Sequence, residues 1–376
     1  MDEISKILGS LAAEDNLRTL RSASGTGRYV YYDGRRYVNM SSNDYLGLAG
    51  DMELQRRFLE WAAAEERFVM GNPSSRLMTG NSADYEALEA ALAALYPGKS
   101  ALVLGSGYLA NTGVLRAVTD KGDLALADKL VHASLIDGLR LCECEWRRFN
   151  HNDMGHLEAI LRRERANYRD VWVVTESVFS MDGDRAPLEE LVALKHRYGL
   201  KLYLDEAHAF GVCGPGGRGC AAEEGVDSEI DILMTTFGKA VVSYGAFVAV
   251  DPQVRELLVN RMRTLIFATA LPPVVLQWTK MVVELLPTFG AQREHLQSLI
   301  KQITPNTAAT HIIPIMTYGN AEAQAMSDRF REAGFWVTPI RYPTVPKGKA
   351  RIRLSLGAAL EDADVKRFME VWNSIG

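Results

Sequence analysis

Lys239 stands between two apolar runs, and a lysine in that position has few ways of being accommodated. DILMTT (231–236) precedes it, and YGAFVAV (244–250) follows it almost at once. Burying an ammonium group without a partner costs several kcal/mol. Either the aliphatic stem is buried while the amine reaches solvent, or the amine is held as a nucleophile that forms a Schiff base with a carbonyl.

Asp205 offers an acidic counterpart to this lysine. It follows the strand-like run KLYL (201–204) and begins DEAH (205–208). A carboxylate at the end of a buried strand needs a cationic partner or strong hydrogen-bond donors. The simplest interpretation is pairing with an arginine or capping of a helix. The alternative is pairing with a protonated ring nitrogen of a bound cofactor.

Polar residues follow other apolar runs in the same way. GSGYLAN (105–111) follows a strand-like run and opens a helix, whose free N–H groups can receive an anion. In an open α/β sheet, ligands bind beyond the carboxyl ends of the strands. We therefore expect these polar residues to converge, which favours the nucleophile interpretation of Lys239. They are Asp128, His132, Glu176, Ser177, Ser180, Asp205, His208, Thr235, Thr236 and Lys239.

A reactive lysine, a buried carboxylate and a glycine-serine phosphate cup are together the parts needed to hold pyridoxal phosphate (PLP). Lys239 would carry the aldehyde of the cofactor. Asp205 would pair with the pyridine nitrogen and keep it protonated. Ser106, Gly107 and Tyr108, at the start of the helix, would receive the phosphate.

Two histidines complete the predicted cofactor site. His132 could lie flat over the cofactor ring, although a hydrogen-bonded core histidine is the commoner fate of such a residue. His208, three residues after Asp205, could reach the phenolic oxygen of the ring or the carbonyl of the substrate.

The elements that must position these residues can be predicted from apolar periodicity. Seven short apolar runs, most of them separated by segments of helical length, predict a doubly wound, largely parallel sheet with helices on both faces. The last two runs are too close together for a crossover helix, so this pair is expected to be antiparallel. The runs are 101–105, 123–128, 141–149, 171–177, 201–207, 231–236 and 245–250.

Further elements are predicted on either side of this sheet. Apolar residues at helical spacing predict an amphipathic helix over 1–20, and Asp33-Gly34 predicts the turn of a hairpin over 28–40. Two more helices are expected over 51–70 and 84–96. Residues 310–376 are expected to form a smaller α+β lobe.

Composition excludes several functional classes. The chain of 376 residues is 47% apolar and 24% charged, which is typical of a soluble protein with more than one lobe. A net charge of −5 argues against nucleic-acid binding by bulk electrostatics. There is no secretory signal pattern and no apolar run of roughly 18 residues. The four cysteines lack the spacing of a metal site, so we expect no metal and a cytoplasmic location with reduced thiols.

Three short motifs resemble parts of nucleotide-binding sites. GPGGRG (214–219) matches a dinucleotide fingerprint, PGKS (97–100) the end of a phosphate loop, and DEAH a helicase motif. None of them stands in the order of strand, loop and helix that its chemistry requires. We therefore expect no nucleotide site at these positions.

A set of longer motifs, spread over the whole chain, resembles the α-oxoamine synthases, which are fold-type-I PLP enzymes. Each motif is weak alone, but the ordered set is specific. The motifs are SSNDYLGL (41–48), SSRLMTGN (74–81), HASLIDG (132–138), FNHNDMGHLE (149–158), TESVFSMDGDRAPL (175–188), DEAH (205–208), TFGKA (236–240), FATALPP (267–273) and ARIRLSLGAAL (350–360).

This resemblance implies a fold, a reaction and an assembly. The expected architecture is an N-terminal segment over 1–50, a large PLP-binding domain over 51–285 and a small C-terminal domain over 286–376. The branch that the chain resembles most condenses L-alanine with a pimeloyl thioester in biotin synthesis, with loss of CO2 and of the thiol. The family acts as a homodimer.

Further site residues are assigned through the same resemblance. Arg353, in RIRLS, would bind the carboxylate of the amino acid, and Asn43 would lie on the substrate side. Ser180 would lie near an oxygen of the cofactor, and Thr236 would bind its phosphate. Thr269 would reach the phosphate bound by the neighbouring subunit.

The distal carboxylate of a pimeloyl chain also needs a cation or an exit to water, because burying it unpaired is costly. Arg18 and Arg21, in NLRTLRS (16–22), are candidates for that role. Alternatively, both are solvated arginines at the end of a helix, which are common and contribute little.

Three positions depart from the family pattern, and they concern the substrate more than the cofactor. Phe210 stands in the pair Ala209-Phe210, where relatives commonly have Gly-Thr after DEAH. Val242 replaces a glycine, and Leu360 replaces a histidine. A glycine acetyltransferase or a serine acyltransferase would share every cofactor residue, and a non-catalytic binding protein on this fold is a further alternative. A pure binder, however, needs no Schiff-base lysine.

Overall fold

The strands expected from the short apolar runs are present in a computed structural model of the chain, which describes residues 2–14, 16–25 and 27–375. The helices are α1 Asp2–Ala13, α2 Met52–Ala64, α3 Ala83–Leu95, α4 Gly107–Val118, α5 Ala133–Leu141, α6 Met154–Glu164, α7 Leu188–Tyr198, α8 Cys220–Glu223, α9 Pro252–Arg261, α10 Arg263–Ile266, α11 Pro273–Leu285, α12 Gly290–Ile303, α13 Asn320–Glu332 and α14 Asp362–Ile375. The strands are β1 Tyr29–Tyr32, β2 Arg35–Asn39, β3 Ser100–Leu104, β4 Leu124–Asp128, β5 Glu145–Phe149, β6 Val171–Glu176, β7 Lys201–Asp205, β8 Ile232–Thr236, β9 Ala246–Val250, β10 Ile312–Tyr318, β11 Phe335–Trp336, β12 Thr338–Ile340 and β13 Ala350–Ser355.

Seven of these strands form one sheet in the order β3-β9-β8-β7-β6-β4-β5. The neighbours β5, β4, β6, β7 and β8 run parallel, whereas β9 is antiparallel to both β3 and β8. The prediction of a mostly parallel seven-stranded sheet with an antiparallel final pair is therefore confirmed.

The burial of these strands explains why their sequences are apolar throughout rather than alternating. β4, β6 and β9 are buried along their whole length, as expected when helices cover both faces of a sheet. The edge strand β5 is largely exposed instead, and its charged residues suit an edge that must not pair with other chains.

The chain divides into two compact units. One comprises Met52–Phe179 and Arg185–Gly290 and contains the seven-stranded sheet; the other comprises Met1–Asp51, Ser180–Asp184 and Ala291–Gly376. We call them the large unit and the small unit.

The small unit contains two three-stranded sheets, in the orders β1-β2-β11 and β10-β13-β12. The first includes the predicted hairpin, in which β1 and β2 are antiparallel. Asp33 and Gly34 at its turn have φ angles of 49° and 69°, as a two-residue hairpin turn of this type requires.

The predictions fail mainly at the ends of elements. The first helix ends at Ala13 rather than near residue 20, and the N–H of Asn16 donates to the carbonyl of Leu11 in a helix-ending turn. α2 ends at Ala64 rather than near residue 70, because Glu66 takes a positive φ of 51°. Within the described part of the chain, no helix combines the length and the apolar character needed to cross a bilayer.

Candidate active site

A cavity of about 180 Å³ lies in the large unit, at the carboxyl ends of its parallel strands. It is lined by seven of the residues predicted from the sequence to bind the cofactor, which the fold brings together from four strand ends and two helix starts. They are Gly107, Tyr108, His132, Asp205, His208, Thr236 and Lys239.

Lys239 follows β8 in a tight turn that leads into β9. Phe237, two residues earlier, is fully buried and stacks on Phe247 with ring centroids 5.7 Å apart, which anchors the turn in the core. The Nζ of Lys239 lies 2.9 Å from the Nε2 of His208. An ammonium group can only donate, so Nε2 accepts when Lys239 is protonated. The amine is therefore held at the cavity by the protein.

Asp205 ends β7 with its carboxylate buried. Its Oδ1 accepts from the N–H of Ala207 at 2.9 Å, and its Oδ2 accepts from the Nδ2 of Asn111 at 2.9 Å. Two neutral donors satisfy part of the capacity of the carboxylate, and further lone pairs are left for a donor in the cavity. The arginine pairing considered from the sequence is not what holds this side chain among the described residues.

His132 caps the start of α5 and lines the same cavity. Its Nδ1 lies 2.7 Å from the Oγ of Ser134 and accepts from the N–H of Ser134 at 3.3 Å. Because the backbone N–H can only donate, Nδ1 is the acceptor nitrogen of the ring. Burial, together with the nearby charge of Lys239, lowers the pKa of His132. The imidazole is therefore neutral near neutral pH.

The start of α4 forms the expected anion cup. Ser106 caps the helix, and its side chain accepts from the N–H of Leu109 at 3.2 Å. Gly107 faces Thr236: a Cβ at this glycine would lie 3.4 Å from the Cβ of Thr236, so glycine keeps the gap open. The hydroxyl of Tyr108 donates to Asp137 at 2.6 Å.

The residues of this cavity fit PLP. They provide an amine for its aldehyde, a buried acceptor for a protonated ring nitrogen, a flat imidazole, and the N–H groups of a 12-residue helix for its phosphate. The fit rests on the chemistry of the donor set and on the gap kept open at Gly107.

Sequence reasoning gave no role to three further residues that line the cavity, namely Asn111, Ser134 and Glu176, although Glu176 was among the polar residues expected to converge there. Glu176 ends β6 opposite Asp205 and accepts from the backbone N–H of His132. Burial, followed by the negative charge of Asp205, raises its pKa well above the usual value. Its position directly after an apolar run was a usable signal, whereas the roles of Asn111 and Ser134 depend on contacts that the sequence does not display.

Arg353, Asn43 and Ser180 are brought together in the small unit. Arg353 lies on β13 and is 8% exposed; its Nε donates to the carbonyl of Ser180 at 2.5 Å. Its terminal nitrogens lie 3.3–3.4 Å from the Oδ1 of Asn43. Arg351 pairs with Asp182 at 2.5 Å, but no carboxylate pairs with Arg353 among the described residues. A buried guanidinium that has no carboxylate partner is suited to bind an anion.

Arg18 and Arg21 lie elsewhere in the small unit, at a groove of about 640 Å³ that is also lined by Trp336 and Arg341. Both arginines are exposed, and Arg18 donates to the hydroxyl of Thr344 at 2.8 Å. The groove thus gathers cationic side chains next to an aromatic surface.

Thr269 is exposed and is not among the residues that line the cavity of the large unit. Its backbone pairs with Ser75, and the N–H of Ala270 donates to the carbonyl of Ser74 at 2.9 Å. The predicted contact with a neighbouring subunit stays a prediction.

Among the residues that the structure describes, one group of metal-ligating side chains lies outside the cavity. Cys213, Cys220 and Glu223 place a sulfur, a sulfur and a carboxylate oxygen within 4.8 Å of one another. Arg185 already supplies a cation there, 3.1 Å from Glu223 and 3.8 Å from the sulfur of Cys213. The expectation of no metal stays a prediction for this group.

The three departures from the family pattern all have structural consequences. Phe210 is buried and packs edge-on against Phe247, with ring centroids 5.4 Å apart. Leu360 is buried as well, and its carbonyl accepts from the Nε2 of His295 at 2.7 Å. Val242 takes a positive φ of 50°, a conformation that favours glycine.

Comparison with known proteins agrees with this geometry. The family model for aminotransferase class I and II matches residues 35–371. The chain is 46% identical to the 8-amino-7-oxononanoate synthase of Chlorobaculum parvum over 364 residues, which cover 93% of this chain and 92% of the relative. It is 44% identical to the enzyme of the same name from Haemophilus ducreyi, over 97% of this chain and 98% of the relative. Among solved structures, a serine palmitoyltransferase from S. paucimobilis with PLP and myriocin bound matches with a TM-score of 0.92 and 27% identity, over 99% of this chain and 98% of that chain.

Proposed function

The chain belongs to the class I and II aminotransferase family, in its α-oxoamine synthase branch, and we propose that it is a PLP-dependent acyltransferase that condenses L-alanine with a pimeloyl thioester to give 8-amino-7-oxononanoate. The observation that carries the proposal is the convergence of Lys239, Asp205 and His132 on one cavity at the ends of the parallel strands. Identities of 44–46% to synthases of this name, against 27% to the serine palmitoyltransferase, favour this branch over its sister.

PLP, when bound, supplies an electron sink that stabilises negative charge at the Cα of an amino acid. Lys239 would hold it through Nζ, and Asp205 would accept from its ring nitrogen. The N–H groups at Gly107 and Tyr108, together with Thr236, would receive its phosphate.

Lys239 also has the proton-transfer role. Its Nζ takes the proton from the Cα of alanine and later returns a proton to that carbon. His208, with Nε2 2.9 Å from Nζ, keeps the amine directed at the cavity. A carbon–carbon bond forms to the thioester carbonyl, the thiol leaves, and the carboxylate of alanine departs as CO2.

Arg353 binds the carboxylate of alanine. The guanidinium is buried and has no carboxylate partner among the described residues, so an incoming carboxylate is matched to it in charge and in planar geometry. Asn43 holds the guanidinium in place through its Oδ1.

The distal carboxylate of the pimeloyl chain is matched by the groove that contains Arg18 and Arg21. A cation in this groove offsets the cost of desolvating the distal carboxylate, which would otherwise have no partner. An acetyl or palmitoyl chain has no such carboxylate and gains nothing from either arginine.

A homodimer completes the proposal. Exposed apolar side chains cluster on two segments of the large unit that are hydrogen-bonded to each other through Ser74 and Ala270. Several large apolar residues on one surface of a soluble protein are typical of a subunit interface. They are Phe68, Val69, Met70, Leu77, Met78 and Phe267, which are 47–79% exposed. Thr269 lies on this same surface.

The test is product analysis with purified protein loaded with PLP. Alanine, glycine and serine are each offered against pimeloyl, acetyl and palmitoyl thioesters, and the products are identified by mass. We expect 8-amino-7-oxononanoate from alanine and pimeloyl thioester. A preference for serine with palmitoyl thioester, or for glycine with acetyl thioester, would assign the chain to a sister activity.

Variants of the two N-terminal arginines sharpen this test. One of Arg18 and Arg21 is expected to contact the acyl donor. Substituting that arginine with glutamine should raise the KM for pimeloyl thioester and leave unchanged the KM for a donor that lacks a terminal carboxylate. Equal losses with both donors would contradict the proposed role of the groove.

A further inference from the structure

Asn111 is a buried polar side chain in the middle of α4 that no step of the proposed reaction uses. It is 1% exposed. Its Nδ2 lies 2.9 Å from the Oδ2 of Asp205 and 2.9 Å from the Oγ of Ser134, and its Oδ1 lies 2.7 Å from the hydroxyl of Tyr203. A single amide on α4 therefore links β7, through Asp205 and Tyr203, with α5, through Ser134.

The direction of each hydrogen bond follows from chemistry. A carboxylate can only accept, so the amide nitrogen of Asn111 must face Asp205, and Oδ1 must then accept from Tyr203. The second N–H of the amide goes to the Oγ of Ser134. The hydroxyl of Ser134 is left to donate to the Nδ1 of His132, at 2.7 Å.

The chain of donors thus runs one way, from Tyr203 through Asn111, where it branches to Asp205 and, through Ser134, to His132. Each hydrogen bond in this chain restricts the orientation of the next side chain. The bond from Asn111 fixes the plane of the Asp205 carboxylate, and the bonds from Ser134 keep Nδ1 of His132 as an acceptor with the proton on Nε2. Networks of this kind, when every member is satisfied, hold a unique arrangement.

The charges around these groups do not by themselves impose that arrangement. The charged groups nearest His132 are Asp205, Lys239 and Asp137. The backbone N–H of His132 also donates to the carboxyl group of Glu176. Asp205 and Asp137 favour a protonated His132, whereas burial and Lys239 oppose it. The hydrogen bonds from Ser134 add to the opposing side.

We infer that Asn111 is a positioning residue for the proposed reaction, which fixes the acceptor state of Asp205 toward the ring nitrogen of PLP and, through Ser134, the tautomer of His132. The inference rests on the proposed function. In this inference Asn111 acts through Asp205 and Ser134, and Tyr203 acts through Asn111.

The test uses holoenzyme made from protein labelled with ¹⁵N in its histidine rings and PLP labelled with ¹⁵N in its ring. NMR then reports both the protonation of the PLP ring nitrogen and the state of the His132 imidazole. Asn111→Leu removes both branches at nearly constant volume. We expect its ring-nitrogen signal to move toward that of the unprotonated form and the pKa of His132 to rise, because Asn111 no longer orients the Ser134 hydroxyl that donates to Nδ1. kcat should fall by about tenfold or more, with little change in the KM for alanine.

Two milder variants separate the branches and keep the test decisive if Asn111→Leu does not fold. Ser134→Ala should change the His132 signals and leave the ring nitrogen as in the wild type. Tyr203→Phe should move the ring-nitrogen signal part of the way. Thr112→Val is the matched control, because the hydroxyl of this neighbouring buried residue donates to the backbone of Tyr108 and Leu109.

Wild-type signals in Asn111→Leu, or in both Ser134→Ala and Tyr203→Phe, would overturn the inference while leaving the proposed function intact. So would a change in Thr112→Val as large as that in Asn111→Leu, since it would reveal a general effect of packing. A wild-type protein that takes up no PLP would overturn the proposed function and the inference together.

Discussion

At the scale of single residues, the cavity places two carboxyl groups side by side in different surroundings. Asp205 is held by two neutral donors that stabilise its charge. Glu176, opposite it on β6, has its pKa raised by burial and by the charge of Asp205. Like charges this close cannot both be ionised cheaply. Glu176 therefore holds its proton more tightly than an ordinary carboxyl group does.

The role of Asp205 predicts a specific defect in Asp205→Asn. This variant should still bind PLP, but it should exchange the Cα proton of alanine slowly. The reason is that a charge-assisted hydrogen bond worth about 1.5–3 kcal/mol is replaced by a neutral one. Exchange into deuterated water followed by NMR measures this rate, with Asp182→Asn as a control in the small unit. A near-normal rate in Asp205→Asn would count against the assignment.

The raised pKa of Glu176 predicts how stability depends on pH. A carboxyl whose pKa is higher in the folded than in the unfolded protein binds its proton more tightly when folded. Its contribution is complete below the ordinary value of 4.5 and is lost as pH rises toward the folded value. Glu176→Gln stays neutral and lacks this loss.

Chemical denaturation at about pH 5 and about pH 8 should therefore show the wild type losing stability relative to Glu176→Gln, by up to about 1.4 kcal/mol per pH unit. Groups that titrate independently of Glu176 contribute equally to both proteins. A difference that does not vary with pH would mean that Glu176 is ionised in the folded protein.

At the scale of elements, the turn between β8 and β9 presents Lys239 and carries a local conformational cost. Val242 has a φ of 50°, although a β-branched residue disfavours this left-handed region. Two hydrogen bonds hold the turn in spite of this. The N–H of Val242 donates to the carbonyl of Lys239, and the carbonyl of Val242 accepts from the indole N–H of Trp278 at 3.0 Å. Its stability comes from these bonds rather than from the intrinsic preference of the residue.

We predict that Val242→Gly stabilises the protein by about 1 kcal/mol, since relief of the left-handed conformation exceeds the added entropy of glycine in the unfolded chain. Val242→Ala retains a Cβ and is the control. Urea denaturation at one protein concentration should rank glycine above alanine at this position, the reverse of the usual order. Alanine above glycine would show that the turn is not strained.

Elements were predictable from the sequence where burial leaves a continuous apolar run. The strands that end at Glu176, Asp205 and Thr236 could be located because both faces of the sheet are covered, and the polar residue after each run marked the site. Helix ends were less predictable, since Glu66 and Asn16 end their helices through local backbone geometry. The order of the strands, and hence the contact of Asn111 with Asp205 across 94 residues, is a property of the folded chain alone.

At the scale of the whole molecule, the proposed dimer accounts for apolar side chains that a monomer would leave in water. Met78 is 79% exposed and Phe267 is 71% exposed, on hydrogen-bonded segments that also carry Thr269. The proposed contact of Thr269 with the neighbouring subunit lies on the same surface.

Sedimentation of the active protein should therefore give a dimer, and Met78→Glu should shift it toward monomer with a loss of activity, because the charge would be desolvated at the interface. Met52→Glu, at an exposed methionine on α2 outside those segments, is the matched control. A fully active monomer would exclude composite active sites.

The central claim is that Lys239 carries PLP in a condensing enzyme, and borohydride reduction followed by peptide mapping tests it most directly. Reduction fixes a Schiff base as a stable amine, so the mass of PLP should appear on the peptide that contains Lys239. Lys239→Ala should show no such adduct and should lose condensation of alanine with pimeloyl thioester. PLP on a different lysine, or full condensing activity in Lys239→Ala, would contradict the account.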